Sequence, residues 1–169
     1  MSEDTKTFDL IKTIQGRAYP EGEVTVYLDE ASIHELHALS EQLKYHTNEQ
    51  TKAYKELDKK VKEATKAIEK SALTFKMRGV APSIINLLVD KHRENSDVLQ
   101  DELLSATLYA VVDAEGAEDR RKFSVEDCKA IRDEIPLAAY AKVSEKATDL
   151  NMGAAIYDQT IDAGFLQKS

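Results

Sequence analysis

"LTFKMRGVAPSIINLLVD", residues 73–90, changes its hydrophobic period halfway along. Leu73, Phe75 and Met77 alternate with Thr74, Lys76 and Arg78, the period-two pattern of a half-buried strand. Beyond Gly79 and Pro82, Ile84, Leu87 and Leu88 recur at helical spacing. A strand, a glycine break and a helix therefore follow one another, directly behind a segment of some forty residues dense in charge. What that strand belongs to decides the fold.

Upstream, "EVTVYLD" (23–29) is the best strand in the N-terminal half, with Val24, Val26 and Leu28 alternating with Thr25 and Tyr27. Asp29 is placed to end it and cap the next helix. Before it, "TFDLIKTIQG" predicts a short helix: Thr7 as cap, Phe8, Ile11 and Ile14 on one face, Gly16 at the end. From Glu30 to Ser71 there is no Gly or Pro and helix formers dominate. Ile33, Leu36, Leu43, Tyr54, Leu57, Val61, Ala64 and Ile68 fit one alternating three-and-four register, the seam of a coiled coil or helical hairpin. Ser40, Thr47 and Gln50 interrupt the seam around "HTNEQT", where a bend or a second helix fits. Glu49, Glu56 and Glu63 precede Lys52, Lys59 and Lys66 by three residues, a solvated face with pair spacing.

Downstream of "RENSD", the stretch "VLQDELLSATLYAVVDA" reads as one core helix ending before Gly116, with Leu99, Leu103, Ala106 and Ala110 as a stripe and Leu104, Leu108 and Val111 on its flank. "EGAEDRRK" reads as an exposed loop. "FSVEDCKAIRDEI" opens with Ser124 and Asp127 at capping-box spacing behind Phe123, and turns Val125, Cys128, Ile131 and Ile135 inward. Pro136 starts a last helix with Leu137, Tyr140, Val143, Ala147 and Leu150 inward. The sequence thus predicts a mainly α chain with a small β-sheet (α+β), a long charged helix plus a compact C-terminal helical bundle. Its segments are 1–28 (helix and strand), 29–71 (charged helical segment), 72–153 (strand and helical core) and 154–169 (flexible tail), together one domain.

Composition narrows the function. The 169 residues are 42% hydrophobic and 32% charged, enough for one domain with a real core. A net charge of −8 opposes a phosphate backbone as partner, since neutralising phosphates needs clustered Lys and Arg. No run approaches the roughly 18 apolar residues of a membrane span, and "MSEDTKTFD" lacks the features of a signal peptide, so a cytosolic chain that binds neither nucleic acid nor membrane is expected. Cys128, the sole cysteine, has no disulfide partner within the chain and reads as a buried thiol.

Catalytic chemistry finds no clear carrier, and no cofactor is expected. Glu30, His34, His37 and Glu41 can stack along a helix, near carboxylate-bridged metal spacing. The histidines lack the four-residue spacing of a zinc protease helix, and a solvated helix face accounts for the same residues. "DAEGAEDRR" lacks the ligand spacing of a calcium loop and reads as a solvated turn. Asp133 and Glu134, adjacent on a helix, point apart. No phosphate loop, dinucleotide fingerprint or nucleophile elbow occurs.

The order of segments carries one further signal. "VTVYLD", a charged helical linker, "LTFKMRGVAPSIINLLVDKHRE", "DELLSATLYAVVDAEG" and "FSVEDCKAIRDEIPLAAYAKVSEKATDLNMG" together resemble the tail assembly chaperones of long-tailed phages that infect actinobacteria. The likeness runs over residues 24–153 and includes the helix around "LVDKH" and a last helix ending in Leu150 and Asn151. The resemblance implies that strands 24–28 and 73–78 pair into a small sheet joined by the long helix, with three C-terminal helices on its apolar side. It implies a protein of the host cytoplasm, absent from the mature virion, that binds the tape measure protein and keeps it soluble while the tail tube assembles. Tail tube protein, a second copy and a longer frameshifted form of the chain are further expected partners. The longer form would diverge in the tail from Ala154, with a slippery heptamer in the coding DNA near Lys168. Leu87, Leu88, Tyr109, Tyr140 and Phe165 are the candidates to line a client groove, although such residues more often belong to a core. Two other readings compete: a structural virion or coiled-coil protein dimerised through the 54–68 seam, and an enzyme using His34 and His37.

Overall fold

The computed structural model describes residues 8–151. The strand of the opening stretch, β2 (Ala72–Arg78), pairs antiparallel with β1 (Glu21–Tyr27), setting Val24 opposite Phe75 and Val26 opposite Leu73. Opposed residues share a face, so the two alternating patterns place their apolar members together on one side. On the other side the Thr25 and Thr74 hydroxyls hydrogen-bond at 2.7 Å, 49 residues apart in the chain. The fold is mainly α with a small sheet, in the order β1-β2-β3-β4.

Between β1 and β2 the charged segment forms two helices, α2 (Glu30–Leu43) and α3 (Lys52–Lys70), packed as a hairpin. The polar interruption of the seam is where they part. There the Asn48 side chain accepts from the Gln50 N–H, and Thr51 caps α3 through the Tyr54 N–H. Leu39 and Ala64 are buried between the helices, while Leu36, Leu43, Leu57, Val61 and Ile68 are half-buried. Asp29 caps α2 through the Ser32 N–H at 2.9 Å, as expected. The Ser71 hydroxyl accepts from the Leu28 and Asp29 N–H groups, both at 3.1 Å, and so clamps the root of the arm. The helix-face pairs differ from expectation: they join Lys52 to Glu56, Lys59 to Glu63 and Asp58 to Lys62 at four-residue spacing. A four-residue step brings side chains into line about as well as three, and here it selects the partner.

The stretch after Asn95 requires a correction. Helix α5 (Ser96–Thr107) stops at Thr107, and Leu108–Asp113 is a strand, β3, paired with β2. Thr107, Tyr109, Val111 and Val112 favour extended backbone, and pairing satisfies the free edge of β2. The inward face of α5 is accordingly Asp101, Leu104 and Thr107; Leu99 and Leu103 are half-buried and Ala106 is exposed. The "EGAEDRRK" loop likewise contains a strand, β4 (Glu118–Arg120), which returns along β3. Its turn is built by the Asp113 carboxylate, which accepts from the Glu115 and Ala117 N–H groups at 2.9 Å, and by Gly116 at φ +86°, a conformation that favours glycine. Tyr109 is the extra residue of a bulge, since Lys76 faces Ala110 and Met77 faces Leu108.

Helix α4 (Pro82–Lys91) buries Ile85, leaving Ile84 and Leu87 of the expected stripe exposed. Helix α6 (Val125–Glu134) has the expected capping box, and Phe123 before it is buried. Helix α7 (Leu137–Asn151) follows Pro136 and lies across β1 and β2, with Tyr140, Val143 and Ala147 buried; Leu137, expected inward, is 84% exposed. The core joins Phe75, Met77, Leu104, Leu108, Cys128 and Val143. At the N-terminal end, α1 (Leu10–Gln15) is capped by Asp9 through the Lys12 N–H, Gly16 ends it, and none of its residues is buried; Thr7, the expected cap, lies outside the described residues. So does the tail from 154, including Phe165.

The end of α7 is fastened to the turn after β2. The Val80 N–H donates to Asn151 Oδ1 at 2.8 Å, and the Gly79 N–H donates to the Pro20 carbonyl, also at 2.8 Å. A Cβ at Gly79 would lie 2.9 Å from the Leu150 carbonyl oxygen, a backbone atom that moves only with its helix. Gly79→Ala is therefore expected to lower unfolding free energy by about 1–3 kcal/mol, the usual cost of overpacking, in urea titrations. An unchanged midpoint would contradict this seating of α7.

Candidate functional site: apolar grooves at the root of the arm

The sheet has one polar and one apolar face, and the apolar face is not fully covered. On the polar face Lys76 pairs with Glu118 at 3.5 Å and Arg120 with Glu118 at 3.1 Å; Arg78 pairs with Glu21, and Arg78 and Arg120 stand 5.5 and 5.2 Å from the centre of the Tyr109 ring. On the apolar face α7 covers β1 and β2, but a strip toward β3 stays open between the sheet and α6. This is a groove of about 570 Å³ with Leu73, Phe75 and Val111 as floor and Ala130, Ile131 and Ile135 as the helical wall. That size suits a ligand-binding cleft. Asp113, Glu118, Asp119, Asp127 and Arg121 form its rim.

The rim is held in place by its own ion pairs. Arg121 donates to Asp127 at 2.8 Å and to Asp119 at 3.1 Å. The Ser124 backbone N–H, and after it the Arg121 guanidinium, holds the Asp127 carboxyl below its ordinary range; the hydrogen bond from Arg120 does the same for Glu118. Both stay ionised at neutral pH, and the groove is an apolar trough edged by Asp113, Asp119 and Asp127 with Arg121, while Glu118 at the same edge is paired with Lys76 and Arg120. A smaller groove of about 230 Å³ lies across the Ile135–Pro136 link, lined by Val26, Tyr27, Ile33, Pro136 and Ala139 with Glu30, His34 and Lys142, and beside it Leu137 stands exposed.

The residues proposed from sequence are dispersed. Leu87 is 66% exposed on α4 and Leu88 half-buried. Tyr109 lies under its two arginines. Tyr140 is 6% exposed within the core and so cannot line an open groove. The groove residues Leu73, Phe75, Ile131 and Ile135 read from the sequence as ordinary core positions. Val111 falls within the stretch that reads as a helix; the Val111–Val112 β-branched pair after Thr107 is the signal that marks it as strand. Of the metal candidates, His34 and His37 are exposed and Glu41 pairs with Lys44. Among the described residues no group of three or more His, Cys, Asp or Glu side chains is placed to hold a metal ion.

A buried polar cluster joins α5 to α6. Asp101, 3% exposed, accepts from Arg132 Nε and Nη2 at 3.0 and 3.1 Å, tying α5 to α6. Nearby, the Tyr140 hydroxyl is buried with no hydrogen-bond partner among the described residues. Burial, reinforced by the Asp101 charge, pushes the Cys128 thiol up from 9.0 to about 12 and the Tyr140 hydroxyl from 10.0 to about 12. At neutral pH Cys128 is therefore a protonated core thiol, unsuited to nucleophilic work.

Two outcomes follow from this cluster. Both raised groups favour the neutral form in the folded state, so their contribution is complete below pH 9 and is lost as pH rises toward 12. Thermal unfolding midpoints should fall across that window, and Cys128→Ala should shallow the decline; an equally steep fall would show the thiol titrates normally. Arg132→Ala should lower the midpoint more than Asp101→Ala, because it strands a side chain 4% exposed, whereas the arginine, at 23%, can reach water. Equal losses would contradict that asymmetry. No helix among the described residues is long and apolar enough to cross a membrane. No protein-family model, curated protein or solved structure matches the chain.

Proposed function

We propose that the chain is an assembly chaperone that holds an amphipathic helix of a larger, apolar-rich client in the groove between α6 and the β2–β3 strip. The supporting observation is the groove itself: an apolar floor and helical wall, with a carboxylate-rich rim to receive basic residues flanking the client's apolar stripe. A helix laid there would complete the cover of the sheet's apolar face. Such work needs no active site; it needs apolar surface that a client covers reversibly and an acidic exterior, here −8 overall, that keeps the complex dispersed.

With the resemblance of the segment order, the client in this reading is a phage tape measure protein, and the chain acts in the host cytoplasm during tail assembly. The competing structural reading put permanent dimerisation in the 54–68 seam. The packing of α3 against α2 of the same chain favours the chaperone, because Leu57 and Val61 are already half-buried within one arm.

Co-expression with the tape measure protein encoded nearby is the test. The expected result is that the client stays soluble and co-purifies, and that Ala130→Glu, at an exposed position on the groove wall, abolishes capture while leaving the circular dichroism spectrum unchanged. A client that stays insoluble, or this chain recovered from finished particles, would overturn the proposal.

A further inference from the structure

Helix α4 carries an apolar face that nothing among the described residues covers. Ile84 and Leu87, three residues apart on it, are 43% and 66% exposed. Beside α4 a further groove of about 550 Å³ is lined by Val80, Ile84 and Tyr109 and by Arg120, Arg121 and Lys122. No carboxylate is among its described lining residues, whereas the α6/β2–β3 groove is edged by several. Arg120 and Arg121 already pair with Glu118, Asp119 and Asp127; Lys122 has no ion-pair partner among the described residues.

We propose that the chain's own segment beyond α7, residues 154–169, docks in this groove and on the α4 face beside it. Connectivity chooses the occupant. Asn151, the last described residue, accepts from the Val80 N–H at 2.8 Å, and Val80 lines the groove, so residues 152–169 set out from its edge. Fully extended they would span roughly 60 Å, whereas Ile84 and Leu87 lie within the first two turns of α4, directly after Val80. A segment tethered so close meets its site at a roughly millimolar effective concentration, so a modest fit holds it there. The fit is in the sequence. Tyr157, Ile161 and Phe165 recur at four-residue spacing, the stripe by which an amphipathic segment enters an apolar groove. Asp158 and Asp162 follow the first two at the same spacing, and Lys168 is the one cation of the segment. Those carboxylates are accepted beside Lys122 and opposed by the acidic edge of the α6/β2–β3 groove.

The test is a nitroxide spin label on the full chain, read by methyl NMR with isoleucine, leucine and valine labelled. Gln167→Cys places the label two residues past Phe165, and Cys128, buried with a protonated thiol, stays unreacted. The methyl signals of Val80, Ile84 and Leu87 should lose at least half their intensity, with Leu73 and Ile131 of the other groove unaffected. Ile161→Asp/Phe165→Asp keeps the tether but removes the apolar stripe, and should restore those signals while leaving the core signals of Leu104 and Val143 in place. Undiminished signals at α4, a loss that persists in the double variant, or a loss that appears only when a second copy carries the label would overturn the proposal. The client groove has no part in this docking, so its failure is separable from failure of client capture.

Discussion

The structure depends on the pairing of β1 with β2 across the helical arm. Two strands far apart in the chain meet because each carries apolar residues on alternate positions, and antiparallel pairing brings those residues to one face. Loop closure over such a span is entropically costly, but the intervening residues fold into a hairpin whose two ends return side by side. The Ser71 hydroxyl, gripping the Leu28 and Asp29 N–H groups, marks where that return is secured. A one-residue slip would set Val24 and Val26 opposite Lys76 and Thr74, on the face away from Phe75 and Met77, and remove the seat of α7.

From that pairing the groove follows. A sheet made amphipathic by its strands must be covered on its apolar side, and α7 covers β1 and β2. The link through Pro136 turns the chain from α6 into α7 and leaves the Leu73–Val111 strip between them without a lid. The β3–β4 turn and the α6 capping box then place carboxylates along its edge, so one sheet supplies both the apolar floor and part of the acidic rim. The buried Asp101–Arg132 pair holds α6 to α5 and with it fixes the groove's helical wall.

Much of this was legible in the residues. The β1 and β2 alternation, the Asp29 cap, the polar break near Thr47, the Ser124 capping box and the Pro136 start each rest on local chemistry, and each stands as read except at Leu28, which lies exposed just past the end of β1. The passage from α5 to β3 was not legible, because Leu104, Leu108 and Val111 suit a helical arc as well as a strand and only the open edge of β2 decides between them. Missing β3 concealed the groove, whose floor needs Val111 beside Phe75. Leu137 misled for another reason: it continues the helical stripe of α7 but sits in its first turn, beyond the edge of the core.

The account's central claim is that the groove accepts a helix. Methyl NMR of the full chain, with isoleucine, leucine and valine labelled and an apolar helical segment of the client added, tests it most directly. The account predicts shifts at Leu73, Val111, Ile131 and Ile135, with Leu57 and Val61 of the arm unmoved. Shifts confined to the arm, or none at saturating peptide, would contradict it.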